Sequence, residues 1–110
     1  MYNLGKIEEL SGGDQDFILS VVALFIEEVP QDMEQIEFAI SEKNFLKVYQ
    51  HAHKIKPNVD LVGLDVAFQE ILEIEQSAKN ELFDEVLEKY AVIKSEINEA
   101  VALLKKDFNL

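Results

Sequence analysis

The sequence predicts an all-α protein: an antiparallel, up-and-down four-helix bundle with a short N-terminal helix and a kinked first long helix. Three observations predict it. Apolar residues recur at three- and four-residue spacings in four successive segments, and no β-branched alternation competes with them. Residues that start and stop helices stand at the ends of those segments. Proline and glycine number only two and four in 110 residues, so the connections are short. Each helix then has one apolar stripe to bury, and four such stripes joined by short loops bury one another.

The opening segment, Asn3 to Leu10, is set off by Gly12 and Gly13. Asp14 follows as a helix cap, because a short side-chain oxygen satisfies N–H groups that the first turn leaves free. The first long helix carries apolar residues at 17, 21, 24, 25, 29, 33, 36 and 40. Pro30 lies inside it, either kinking one helix or starting a second at its first turn, where the missing N–H costs nothing. One bent helix to about Glu42 is the expectation. Within it, Phe17 to Ile26 is apolar on all sides. That run is expected to be buried on most sides, under the opening segment; an interface for a second copy or a partner is the alternative.

Asn44 caps the next helix, Phe45 to about Leu61, and Gly63 ends it by permitting a left-handed turn. Asp65 opens a third helix to about Lys79, and "KNE" is a turn. The last helix, from about Leu82 to Asp107, repeats apolar residues at Val86, Tyr90, Ile93, Ile97, Ala100 and Leu104, the seam spacing of left-handed helix packing. No linker, repeat or low-complexity tract divides the chain, so residues 1–110 are expected to form one domain.

Composition narrows the function. Ten lysines, no arginine and 22 acids leave a net charge of −12, which repels nucleic acid and anionic membrane surfaces alike. The absence of cysteine excludes disulfides and thiolate metal sites. The start of the chain lacks a basic, then apolar, targeting pattern, and the apolar run is too short for a bilayer span of about 20 residues. A soluble, cytoplasmic protein without membrane insertion is the expectation, with its oligomeric state open.

The stretch "YQHAHKIKPNVDLVG" holds both histidines, His51 and His53, and Pro57. At roughly 100° per residue, the core stripe of this helix is Phe45, Val48, Ala52, Ile55, Val59 and Val62. His51 lies at its margin. His53 lies roughly 120° from its centre, on a face with Leu46, Tyr49, Lys56, Pro57 and Asp60, and is expected in solvent. The two imidazoles diverge by about 200°, and no third histidine or cysteine joins them, so no metal site is expected. Nor is there a threonine, a nucleophile in a recognisable turn, or a glycine-rich phosphate loop. From Lys43 to Val59 there are four lysines and no acid. This is either chance among surface lysines or a site for an anion at His53, with Lys56 in reach to neutralise a phosphate of about −1.5 to −2 charge and Lys54 pointing elsewhere.

Ala52-His53, Lys56, Gly63 and Ile74-Glu75 together resemble the histidine-containing phosphotransfer (HPt) domain of multistep phosphorelays. That family has an Ala-His pair, a lysine, a glycine and a Leu-Glu type pair at these spacings. The upstream "LFIEEVPQDMEQIEFAI" also resembles the helix that precedes the motif. The resemblance implies that His53 accepts a phosphoryl group from a receiver-domain aspartate and passes it to another receiver. It implies a phosphocarrier without autonomous catalysis. Its partners would be response-regulator receivers and a hybrid histidine kinase. No cofactor would be bound by this chain, and Mg²⁺ is expected on the receiver. Lys56 would stabilise the phosphoryl oxygens, and Glu75 would orient the imidazole, unless it merely reaches water at the helix boundary. Leu46, Tyr49, Pro57 and Asp60 would form docking surface, and Gly63 the structural turn. The alternative is a helical adaptor that is never phosphorylated. The family usually has glycine where Pro57 stands. Proline cannot donate the N–H that would bond the His53 carbonyl, so it either bends the helix and opens room for the receiver or hinders docking.

Overall fold

The structure is a computed structural model that describes residues 1–110. It contains five helices and no strand: α1 (Gly5–Ser11), α2 (Gln15–Ser41), α3 (Phe45–Leu61), α4 (Asp65–Lys79) and α5 (Phe83–Phe108). The expected caps form. The Asp14 carboxylate accepts from the N–H groups of Asp16 and Phe17, and the Asn44 side chain accepts from the Lys47 N–H at 3.1 Å. Gly63, at φ 68°, takes the left-handed conformation just past α3. Its N–H bonds the Asp60 carbonyl and that of Leu64 bonds Val59, closing the helix end. The α2 and α3 helices run unbroken through Pro30 and Pro57.

Three-residue turns join α2 to α5 in series, and side chains tie each helix to the next. Lys54 of α3 reaches Asp32 of α2, Glu75 of α4 reaches His53 of α3, and Lys89 of α5 reaches Glu70 of α4. Tyr90 closes the ring: its hydroxyl lies 3.0 Å from two acceptors of α2, the Met33 carbonyl and Glu37 Oε1, which share its single proton. Twenty-five buried apolar residues form one cluster between the helices, and it includes every member of the α5 seam.

The long helices outreach the short ones. At 1.5 Å per residue, α2 spans roughly 40 Å and α3 roughly 25 Å, so the start of α2 and the end of α5 project beyond the α3–α4 pair. The N-terminal segment fills part of this space. Ile7 is fully buried, Asn3 donates its N–H to the Val62 carbonyl at 2.9 Å, and Tyr2 hydrogen-bonds Asp107.

Here the structure corrects the expectation for Phe17 to Ile26. Ile18, Val22 and Phe25 are buried, but Phe17, Leu19 and Leu24 are 47%, 40% and 49% exposed. The core stripe is also shifted by one residue from the expected 17, 21, 24. A run that is apolar all round carries no phase, and seven-residue α1 is too short to cover its outer sides. No helix is long and apolar enough to cross a membrane.

Candidate functional site

His53 stands on the wall of the bundle where α3 faces α4. Its side chain is 59% exposed, as its angular position predicts. The helix behind it is anchored by Val48, Ala52, Ile55 and Val59, all buried, so the imidazole is carried on a rigid element.

Glu75 meets it from α4. The residue is buried, although it is charged, because both carboxylate oxygens are engaged. Oε2 lies 2.9 Å from His53 Nδ1, and Oε1 accepts from Lys56 Nζ at 3.0 Å. A buried carboxylate without partners would be costly; here two partners offset the loss of water. Glu75, the acid expected to orient the ring, lies within hydrogen-bond distance of it and is buried between the helices, not extended into water at the helix boundary. On the same helix Ile71, Ile74 and Ala78 are buried, whereas Leu72 lies outside.

Lys56 is on the predicted side, but it does not extend freely into solvent. Its side chain is only 23% exposed and is bound to Glu75. One of its three N–H donors is used there, which leaves two for another acceptor. Lys54, three residues from His51, turns the other way and donates to Asp32 Oδ1 at 2.9 Å. That hydrogen bond, and then the charge of Asp32, raise the Lys54 pKa. His51 is near the same buried acid, with Nδ1 3.7 Å from Asp32 Oδ1, too far for a hydrogen bond.

The expected docking residues divide. Leu46 is 65% exposed and Pro57 is also on the surface. Tyr49 is half-buried, with its ring 5.8 Å from that of His53 at an interplanar angle of 14°. Phe45, Leu46, Tyr49, Ala78, Lys79 and Glu81 line a groove of about 400 Å³ next to it. Asp60 is instead engaged by Lys6 of α1 at 2.7 Å, a partner that the sequence did not indicate. Two further residues escaped sequence reasoning. Lys79 lies over the Tyr49 ring, its Nζ 4.9 Å from the centroid, and Asp32 is the buried acid opposite Glu75. The spacing of Lys79, four residues after Glu75 on one helix face, was the available signal for the first.

The site thus joins an exposed imidazole, a buried acid on one of its ring nitrogens and an ammonium on the same acid. The sequence profile of one family, described as Hpt domain, matches residues 20–106. The chain belongs to the Hpt domain family. Hpt domains are phosphocarrier modules that work with receiver domains and hybrid kinases in phosphorelays. Two solved structures share the fold. One is the histidine-containing phosphotransfer protein B (HptB) from Pseudomonas aeruginosa PAO1, with a TM-score of 0.87 at 14% identity, covering 96% of this chain and 92% of that one. The other is the HPT domain from the Hpt sensor hybrid histidine kinase from Shewanella, with a TM-score of 0.83 at 14% identity, covering 97% and 92%. No curated protein sequence is a significant match. This Hpt domain departs from the family pattern at Pro57, which the helix accommodates without a break.

Proposed function

We propose that His53 is the phosphoryl acceptor of this Hpt domain, taking the group from the aspartyl phosphate of one receiver and passing it to the aspartate of another. The observation that carries this reading is the hydrogen bond between His53 Nδ1 and Glu75 on an imidazole that is otherwise open to solvent. An ionised carboxylate only accepts, so Nδ1 holds the proton and Nε2 keeps its lone pair. Nε2 then attacks phosphorus in line. The N–P bond forms as the acyl-phosphate P–O bond breaks, and the aspartate carboxylate leaves with the electron pair. The ring gains positive charge as this happens, and Glu75 faces it. Lys56, held on the other oxygen of Glu75, directs its two remaining N–H donors to the phosphoryl oxygens. Return transfer reverses each step.

In this reading the chain supplies a nucleophile and its orientation and does not catalyse the transfer by itself. Mg²⁺ belongs to the receiver, where it would neutralise the phosphoryl charge. Leu46, Tyr49 and Pro57 surround the histidine as docking surface, and Asp60 contributes at the margin while tied to Lys6.

The test is incubation with a phosphorylated receiver and analysis of the product. An acid-labile, base-stable phosphate should appear on His53, vanish in His53→Gln and persist in His51→Gln. Failure to label His53 with any of several receivers would leave an unphosphorylated adaptor as the better description.

A further inference from the structure

A hydrogen bond at Nδ1 fixes one atom of an imidazole; it does not fix the plane of the ring. His53 is more than half exposed, so little packing restrains rotation about that bond. For in-line attack the Nε2 lone pair must point steadily along one direction, and a ring free to swing would present it only part of the time. Something has to hold the plane.

The candidate is the stack beside it. Tyr49 is four residues before His53, one turn away on the same face of α3, and the two rings stack nearly parallel with their centroids 5.8 Å apart. Tyr49 is held in turn. It packs against the core, and the Lys79 ammonium of α4 lies over its ring. Lys79 is itself one turn beyond Glu75. Two helices therefore each supply a pair of residues: α3 gives the imidazole and the ring stacked on it, and α4 gives the acid that holds Nδ1 and the cation that holds the stacking ring. We propose that Tyr49, steadied by Lys79, is a positioning residue that sets the ring plane of His53, while Glu75 sets its tautomer. This deepens the role given to His53 and rests on it. Tyr49 also faces the positive charge that the imidazole acquires during transfer with the π-electron face of its ring, which favours that charge.

A docking residue and a positioning residue behave differently with a donor that needs no docking. The full chain and its Tyr49→Leu, Tyr49→Phe and Lys79→Met variants are phosphorylated with phosphoramidate and, separately, with a phosphorylated receiver. Tyr49→Leu should slow labelling of His53 by roughly five- to tenfold with both donors, Tyr49→Phe should stay within about twofold, and Lys79→Met should show a smaller loss in the same direction. Relaxation of the His53 ring signals by NMR, without any phosphate, should show a more mobile ring in Tyr49→Leu and Lys79→Met and an unchanged one in Tyr49→Phe. If Tyr49→Leu slows the receiver reaction alone and the ring stays ordered in both variants, Tyr49 is only a contact and the proposal is overturned. Because Lys79 is exposed at the surface, its variant retains the test should Tyr49→Leu fold poorly. If wild-type His53 takes no phosphate from either donor, the phosphoacceptor reading fails, and the NMR result still decides the clamp by itself.

Discussion

Replacing Gly63 with alanine should cost about 2–4 kcal/mol of stability, from two separable causes. The first is local. Gly63 has φ 68°, and an L-residue in that left-handed region carries about 1–2 kcal/mol of strain. The second is tertiary. A Cβ at this position would lie 2.3 Å from the Asn3 carbonyl oxygen and 2.9 Å from its nitrogen, both backbone atoms. The N-terminal segment must lift to make room. Lifting stretches or breaks the hydrogen bond from Asn3 to the Val62 carbonyl, about 0.5–1.5 kcal/mol, and loosens the packing that brings Ile7 into the core. Urea unfolding of Gly63→Ala measures the sum. The same substitution in a chain lacking residues 1–3 isolates the first cause, because no Asn3 remains to collide with, and the cost should fall to about 1–2 kcal/mol. Equal losses in the two backgrounds would refute the crossing of Asn3 over Gly63 as an energetic contact.

Glu75→Ala should release the His53 tautomer and leave the mostly buried Lys56 ammonium unpaired; ¹⁵N shifts of His53 should show a mixture of tautomers, and stability should fall by about 1–3 kcal/mol. Pro57→Ala should stabilise the protein by about 1–2 kcal/mol in denaturant unfolding, since restoring an N–H for the His53 carbonyl outweighs the entropy that proline removes from the unfolded chain. Glu37 accepts from Lys94 and Tyr90, and these hydrogen bonds, Lys94 first, depress its pKa below the ordinary 4.5. A depressed acid stabilises the fold above its unfolded pKa and loses that effect as pH falls through the folded one. The stability gap between wild type and Glu37→Gln, measured by thermal unfolding, should therefore be present at neutral pH and close below pH 4.5.

Local signals were legible in the sequence, and contacts between helices were not. Asn44 and Asp14 cap helices because a cap needs only its own next three residues, and Gly63 ends α3 for an equally local reason. The second role of Gly63, letting Asn3 pass, depends on where a distant segment crosses and leaves no trace in spacing. The α5 seam was legible because apolar and polar residues alternate on it at one period. The same logic failed at Phe17 to Ile26, where apolar residues on every side erase the phase and where coverage depends on the length of α1. At the site, angular position placed His53 and Lys56 on one face correctly. What it could not supply was the register of α4 against α3, and so spacing gave no sign that Lys56 pairs with Glu75.

Two imidazoles share α3, and each has what the other has: a lysine three residues later and an acid on the flanking helix. His53 has Lys56 and Glu75; His51 has Lys54 and Asp32. The His-x-x-Lys spacing alone does not separate them, but the geometry does. Glu75 divides its oxygens, one for the ring and one for the ammonium, so the imidazole is oriented by a full hydrogen bond at 2.9 Å. Asp32 gives the same oxygen to Lys54 at 2.9 Å and leaves His51 at 3.7 Å, so the ammonium satisfies the acid and the ring is not oriented by it. His51 is also only 26% exposed, against 59% for His53, so a receiver would find less of it to reach. The cluster around His51 therefore serves to bury an acid between α2 and α3, which favours a structural ion pair. The cluster around His53 uses nearly the same residue types to hold at the surface the imidazole that the proposed function takes as its nucleophile.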